Sequence, residues 1–192
     1  MSASTVINIE NDLVSKITLG DKKAFESLYF MYYKRLYQFA FLFLNSKELS
    51  EEVVSDVFLN IWIKREQLDP KRNIRQLLYT SVRNLSINYS QRENSILRKD
   101  NIKTYELEIE SIEPYTDETI DRELLHERLQ KAFDQLPERC RMIARLHFND
   151  QLQYIEIANI LNITRKTVEA QIAIAIRKTK EIFEKYKWNK NI

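Results

Sequence analysis

Glycine is almost absent from this sequence: Gly20 is the only one in 192 residues, and the prolines are confined to Pro70, Pro114 and Pro137. Tight hairpins and phosphate-cradling loops draw on glycine for positive φ and close backbone approach. Its scarcity argues against sheet-rich folds, nucleotide-binding loops and dinucleotide folds, and leaves helices joined by polar connections. Cysteine is equally scarce. Cys140 stands alone, which excludes a disulfide framework and a thiolate zinc site and fits a reduced, cytoplasmic setting. It reads as a small half-buried thiol in a helix, not as a nucleophile. The stretch from Met1 to Glu10 lacks a basic segment followed by an apolar core, so no signal peptide is expected. Phe39 to Leu44, the most apolar run, is too short to span a bilayer. His126 and His147 sit in different segments without ligand partners at metal spacing, and no nucleophile–base pairing is apparent. Neither an enzyme nor a cofactor, metal or small-molecule substrate is expected.

What is present is charge, and it is segregated. The chain's net +2 divides into about +3 over residues 1–92, −6 over 93–123 and +5 over 124–192. Two basic ends around an acidic middle suit two modules that face polyanions and a connector that is either solvated or faces something basic.

Apolar periodicity supplies the frame. Asp21 can cap a long helix to about Leu44, with Phe25, Leu28, Tyr29, Tyr32, Leu36, Phe39, Ala40 and Phe43 recurring at three- and four-residue steps. Ser46 can cap the next, where Leu49, Val53, Val57 and Ile61 form one stripe and Val54, Phe58 and Trp62 widen it. A turn at Leu68-Asp69-Pro70 precedes a third helix, about 73–91, that should bury Ile74, Leu77, Leu78, Val82 and Leu85. These helices predict a domain over 5–92. Periodicity then fades, and 93–123 reads as an extended acidic linker. From about Leu124 a second helical unit opens with Leu125, Leu129, Ala132, Phe133 and Leu136 in register. Pro137 fits the first turn of a following helix, about 138–148. The expected architecture is all-α: two small helical domains, 5–92 and 124–192, joined by the acidic linker.

The strongest local signal runs from Tyr154 to Val168, which has helix-turn-helix spacing. Ile157, Leu161, Ile163 and Val168 supply apolar corners, and Ala158 is small where helices cross. Asn162 stands where the turn wants a left-handed residue, and Thr164 can cap the second helix. Arg165, Lys166, Thr167, Glu169, Ala170, Gln171 and Ile174 remain on or near the outer face. The two cations sit at a helix N-terminus suited to phosphates, while Gln171 and Glu169 have the chemistry to read base edges. An ordinary helical hairpin is the plain alternative.

Leu136-Pro137-Glu138-Arg139, with Arg141 and the motif above, resembles the C-terminal domain of bacterial sigma factors, although a response-regulator output domain would fit this segment nearly as well. The N-terminal half separates the two. Phe25-Glu26-Ser27-Leu28-Tyr29, Leu36-Tyr37-Gln38-Phe39-Ala40 and the run from Glu51 to Trp62 are similar to the polymerase-binding domain of extracytoplasmic-function (ECF) sigma factors, and the run from Gln76 to Tyr89 continues that likeness. The resemblance implies core RNA polymerase and promoter DNA as partners. It also implies a membrane-bound anti-sigma factor as regulator and a linker that enters the polymerase channel. The last domain would read the minus-thirty-five element. The loop 67–73 and the helix after it would take the melted minus-ten bases. Glu51, Glu52, Ser55, Asp56 and Asn60 leave an acidic strip that could meet the polymerase clamp. Arg72, Arg75, Arg83 and Arg92, interleaved with Tyr79 and Tyr89, suit phosphate contacts and stacking, with Asn84 and Asn88 on the same helix; for each tyrosine a place in the core is the equal alternative. Ser55, Gln76, Asn88 and Asn162 stand where the family commonly has glutamine, tryptophan, aspartate and glycine. A helix-turn-helix regulator that works without polymerase, or a sigma-like adaptor, are the other readings.

Overall fold

A computed structural model of the chain describes residues 3–97, 133 and 135–188. The expected linker beyond residue 97, the expected helix start at Leu124 and His126 lie outside the described residues. Among the described residues there are seven α-helices, one 3-10 turn and no strand: α1 (Ala3–Thr18), α2 (Lys22–Leu44), α3 (Lys47–Ile63), the 3-10 turn Arg65–Gln67, α4 (Ile74–Leu97), α5 (Glu138–Phe148), α6 (Tyr154–Leu161) and α7 (Arg165–Trp188). The contacts form two compact units, the first holding Met1–Ile96 with Ala158–Ile163 and the second Leu97–Ile157 with Thr164–Ile192.

In the first unit, the chain turns where local chemistry tells it to. Gly20 adopts φ +85, a conformation that a side chain would strain, and lets α1 end against α2. Asp21 then accepts hydrogen bonds from the amides of Lys23 (2.8 Å) and Ala24 (3.1 Å), as its capping role requires. Asn45, at φ 49, closes α2, and the Ser46 hydroxyl accepts from Leu49 N at 3.3 Å to open α3. The core takes Val14 and Ile17 from α1, Leu28, Tyr32, Leu36 and Phe39 from α2, Val53, Val54, Val57 and Phe58 from α3, and Ile74, Leu78, Tyr79 and Val82 from α4. Each such side chain contributes about 1.5–3 kcal/mol by leaving water. Aromatic contacts mark the seams. Phe25 lies 5.0 Å from Trp62 and Tyr29 4.8 Å from Phe58 between α2 and α3, while Phe39 meets Tyr79 at 5.2 Å between α2 and α4.

Three features differ from the periodic reading. The helix α1 precedes the first helix expected from sequence, and its Glu10 is buried beside the core residues. Leu77, expected inside, is 43% exposed because α4 turns its Ile74–Leu78–Val82 row inward and leaves the neighbouring position at the rim. In addition α4 continues to Leu97, several residues past the expected domain end.

In the second unit, Phe133, Leu136, Cys140, Ala144 and Ala175 form one buried cluster, and Ile174 packs against it. Cys140 donates its thiol to the Gln171 carbonyl at 3.3 Å, and burial pushes the thiol's pKa up, so it is an inert structural group. Pro137 is the N-cap of α5, not a residue of its first turn; its carbonyl accepts from Arg141 N at 2.8 Å. The next two helices start and stop as their caps dictate. Gln153 N donates to the Glu156 carboxylate at 2.7 Å, Asn162 takes φ 53, and Thr167 N donates to the Thr164 hydroxyl at 3.1 Å.

Candidate functional site

Three helical faces carry the residues expected to act. The first is the N-terminal turn of α7. Thr164 caps its start, which places the positive end of the helix dipole beside Arg165 and Lys166. Arg165 and Lys166 are exposed there, as are Glu169 and Ala170, while Thr167 and Gln171 are half-buried. Arg165 meets Glu169 at 2.9 Å, an exposed one-turn pair worth only about 0.3–0.5 kcal/mol, which a phosphate can displace. Ile174 turns the other way, onto the buried cluster of its own unit. The face therefore offers two cations at the edge and polar or small groups across the middle, a layout suited to lying along a nucleic-acid groove.

The second face belongs to α4 and the connection before it. Arg72 is exposed and stands 3.7 Å from Asp69. Arg83 bonds the Asn84 side-chain oxygen at 3.2 Å, and Asn84 and Asn88 follow one another on the exposed side one turn apart. Arg92 continues that register; its side chain lies outside the described residues. Arg65 covers the Trp62 ring at 4.9 Å. The two residues left open by sequence now separate, since Tyr79 is fully buried and Tyr89 is half-exposed.

Arg75 has a different environment. Its guanidinium reaches back to Glu10 of α1 at 2.9 Å, with side chains only 12% and 4% exposed, and the Tyr32 hydroxyl donates to the same carboxylate. Burial disfavours the guanidinium's charge, but Tyr32 and Glu10 more than offset it, and the pKa lies above the ordinary arginine value. Burial and then the Glu10 bond hold the Tyr32 phenol well above its usual range. Arg75 thus points into the first unit, not at solvent.

The third face is the outside of α3. Glu51, Glu52, Ser55 and Asn60 are exposed and Asp56 is half-buried. The Asn60 amide folds back onto the Asp56 carbonyl at 2.9 Å. Tyr89 of α4 donates its hydroxyl toward Asp56 (2.9 Å) and Glu52 (3.1 Å), and the Asp56 bond first, then burial and Glu52, push the phenol's pKa up to about 12. Sequence reasoning did not mark Leu59 and Ile63, which are 55% and 62% exposed on the same helix. Their signal was available: neither belongs to the two buried rows, and with Glu52 and Asp56 they recur at helical steps along one side. The strip is acidic at one end and apolar at the other.

Among the described residues, no group of three or more His, Cys, Asp or Glu side chains is placed to hold a metal ion, and no helix is long and apolar enough to cross a membrane.

Comparison with known proteins matches both halves of the chain. The family model for sigma-70 region 2 matches residues 28–96, and that for sigma-70 region 4 matches 126–178, so together they account for more than half of the chain. The chain is 24% identical over 167 residues to the ECF RNA polymerase sigma factor SigW of Bacillus subtilis (strain 168), covering 83% of this chain and 88% of the relative. Its fold is similar to that of CnrH, solved with the cytosolic domain of CnrY, at 19% identity and a TM-score of 0.58, covering 92% of this chain and 97% of the other. It is similar also to the sigma factor RpoE solved with the anti-sigma factor NepR from Bartonella quintana, at 18% identity and a TM-score of 0.61, covering 84% of this chain and 98% of the other.

Proposed function

The chain belongs to the sigma-70 family, in its extracytoplasmic-function branch, and from that membership we propose that it directs core RNA polymerase to specific promoters. The observation that carries this reading is that both sigma modules occur in one chain in the family's order. A regulator that works without polymerase needs the second module only.

Within this reading the labour divides by domain. We assign polymerase docking and minus-ten recognition to residues 5–92, connection to 93–123, and minus-thirty-five recognition to 124–192. The outer face of α3, with Glu51, Glu52, Ser55, Asp56 and Asn60, docks on the polymerase clamp. Its exposed Leu59 and Ile63 supply the apolar contact that charge alone does not. Arg72, Arg83, Asn84, Asn88 and Arg92 meet melted minus-ten DNA. Arg165 and Lys166 bind phosphates at the duplex edge, and Glu169, Ala170 and Gln171 face the bases. Ile174 and Arg75 serve mainly by packing, the first in the second unit and the second through Glu10. The chemistry of transcription belongs to polymerase; this chain adds binding energy and selectivity. Its place of work is the cytoplasm, where polymerase and promoter are. RpoE was solved with an anti-sigma factor and CnrH with the cytosolic domain of CnrY, and a membrane-bound anti-sigma factor is the partner proposed here.

The test is reconstitution. Purified chain added to core polymerase should give transcripts from defined starts, and neither component alone should. Tight binding to core without promoter-specific transcripts would leave only the adaptor reading. Promoter binding without core binding would favour the polymerase-independent regulator.

A further inference from the structure

The carboxylates of Glu52 and Asp56 lie one helical turn apart on α3, where like charges repel. One hydroxyl from another helix reaches both. Tyr89 places its phenol oxygen 3.1 Å from Glu52 Oε1 and 2.9 Å from Asp56 Oδ2. A phenol has a single proton to donate, so the two carboxylates share it, with Asp56 at the shorter distance. Bonds from a neutral donor to an ionised acceptor are stronger than neutral ones. The phenol pKa of about 12 keeps that proton in place throughout the neutral range.

The position of Tyr89 on α4 gives the contact its interest. Val82 and Ser86, at helical steps before it, are buried on the inner side of α4. Tyr89 continues that side at its rim, half-exposed, where α4 runs beside α3. Asn84 and Asn88 occupy the opposite, exposed side of the same turns. One stretch of helix therefore holds the acidic strip with one side and presents the nucleic-acid residues with the other.

We propose that Tyr89 is a positioning residue whose hydroxyl orders the docking carboxylates and ties the DNA-facing end of α4 to them. The proposal rests on the reading of α3 as the polymerase-docking face. Free in solution, two repelling carboxylates on flexible side chains would spread over several rotamers. Held by one donor, they present a fixed pair of acceptors to a cationic partner, so less order has to be imposed on docking. The same bonds limit how far this part of α4 can swing from α3, and so how Asn84 and Asn88 meet DNA once docked. Coupling of this kind is reciprocal: a partner that fixes the carboxylates also fixes Tyr89.

Tyr89→Phe removes the hydroxyl and keeps the ring. The full-length variant should melt within a few degrees of the parent, and an absorbance titration should show the loss of one late-titrating phenol. In a titration against core RNA polymerase it should bind about three- to tenfold more weakly. The holoenzyme it forms at saturation should open promoter DNA more slowly, a readout that affinity alone does not move. The decisive comparison uses Glu52→Ala/Asp56→Ala, which leaves the Tyr89 hydroxyl no side-chain oxygen at either position. In that background, adding Tyr89→Phe should change neither core affinity nor opening rate further. Weakened binding by the carboxylate variant with parental behaviour of Tyr89→Phe would overturn the inference and leave the docking face intact. An equal additional loss in both backgrounds would also overturn it, because the ring's packing would then be responsible. Full core affinity of Glu52→Ala/Asp56→Ala would remove the docking reading, and this inference with it.

Discussion

Replacing Arg75 with alanine separates two roles that look alike in a sequence, a nucleic-acid contact and a buried tie. In the structure the guanidinium lies 2.9 Å from Glu10, and the side chains of the pair are 12% and 4% exposed. Taking away the cation leaves a carboxylate buried with only the Tyr32 hydroxyl for company. Breaking a buried pair from one side costs about 3–5 kcal/mol, against about 5–15 kcal/mol for a whole domain. The first domain should therefore melt more than about 10 °C lower. Replacing both partners with apolar residues, Glu10→Leu with Arg75→Met, should restore most of the loss, since no charge is then stranded. The assay is thermal and urea unfolding followed by Trp62 emission, with Trp188→Phe in every variant so that only the first unit reports. Hydrogen exchange along α1 should rise in Arg75→Ala and recover in the double replacement. A loss below about 1 kcal/mol, joined to weaker and less salt-dependent binding of single-stranded promoter DNA, would refute the reasoning and return Arg75 to the nucleic-acid face.

Leu59→Lys with Ile63→Lys should leave the melting curve nearly unchanged, because both side chains are already exposed, and should cut core-polymerase affinity about tenfold or more in a pull-down titration. Arg165→Ala or Lys166→Ala should weaken upstream-element binding across sequences and shallow its salt dependence by about one unit per lost phosphate contact. Gln171→Ala should instead reorder the preferred sites, with about 1–3 kcal/mol at stake, by anisotropy on a panel of duplexes. Tyr89 predicts an alkaline effect of definite sign. Its folded-state pKa of about 12 exceeds the ordinary 10.0, so its contribution to stability is complete below about pH 10 and is lost as pH rises toward 12. Urea unfolding across that window should show a fall that Tyr89→Phe reduces.

The parts of the fold that could be read from sequence are those whose cause lies within a few residues. Asp21, Ser46 and Thr164 each cap the helix expected of them, because a capping oxygen needs only the amides two or three positions ahead. Asn162 takes the left-handed turn for an equally local reason. The helix α1 escaped because its inner row is Glu10, Val14 and Ile17, and a carboxylate opens it. A search for apolar repeats sees that row as broken. What makes Glu10 acceptable inside is an arginine 65 residues away and a tyrosine 22 residues away, which no local rule connects. The same long link explains Arg75. Among arginines spaced along a helix next to expected DNA contacts, nothing in its neighbours marks it as the one that turns inward.

Surfaces are known from sequence only by subtraction, so they are as legible as the buried side is unambiguous. On α3 two adjacent apolar rows fixed the inside, and the remainder, Glu51, Glu52, Ser55 and Asn60, is exposed as expected. A search for buried stripes passes over Leu59 and Ile63, yet their place outside both rows makes them the informative exceptions. On α4 subtraction was less secure. Leu77 and Leu78 compete for the inside, and only packing against the other helices chooses Leu78. Tyr79 and Tyr89 pose the same question and receive opposite answers, one ring against Phe39 in the core and one hydroxyl on the acidic strip. A tyrosine suits either place, since its ring can be buried and its hydroxyl needs only one partner. Its role is therefore fixed by which helix lies opposite, and that is tertiary information. For the same reason the contact between Tyr89 and the α3 carboxylates could only come from the structure, although all three residues already stood among those singled out in the sequence.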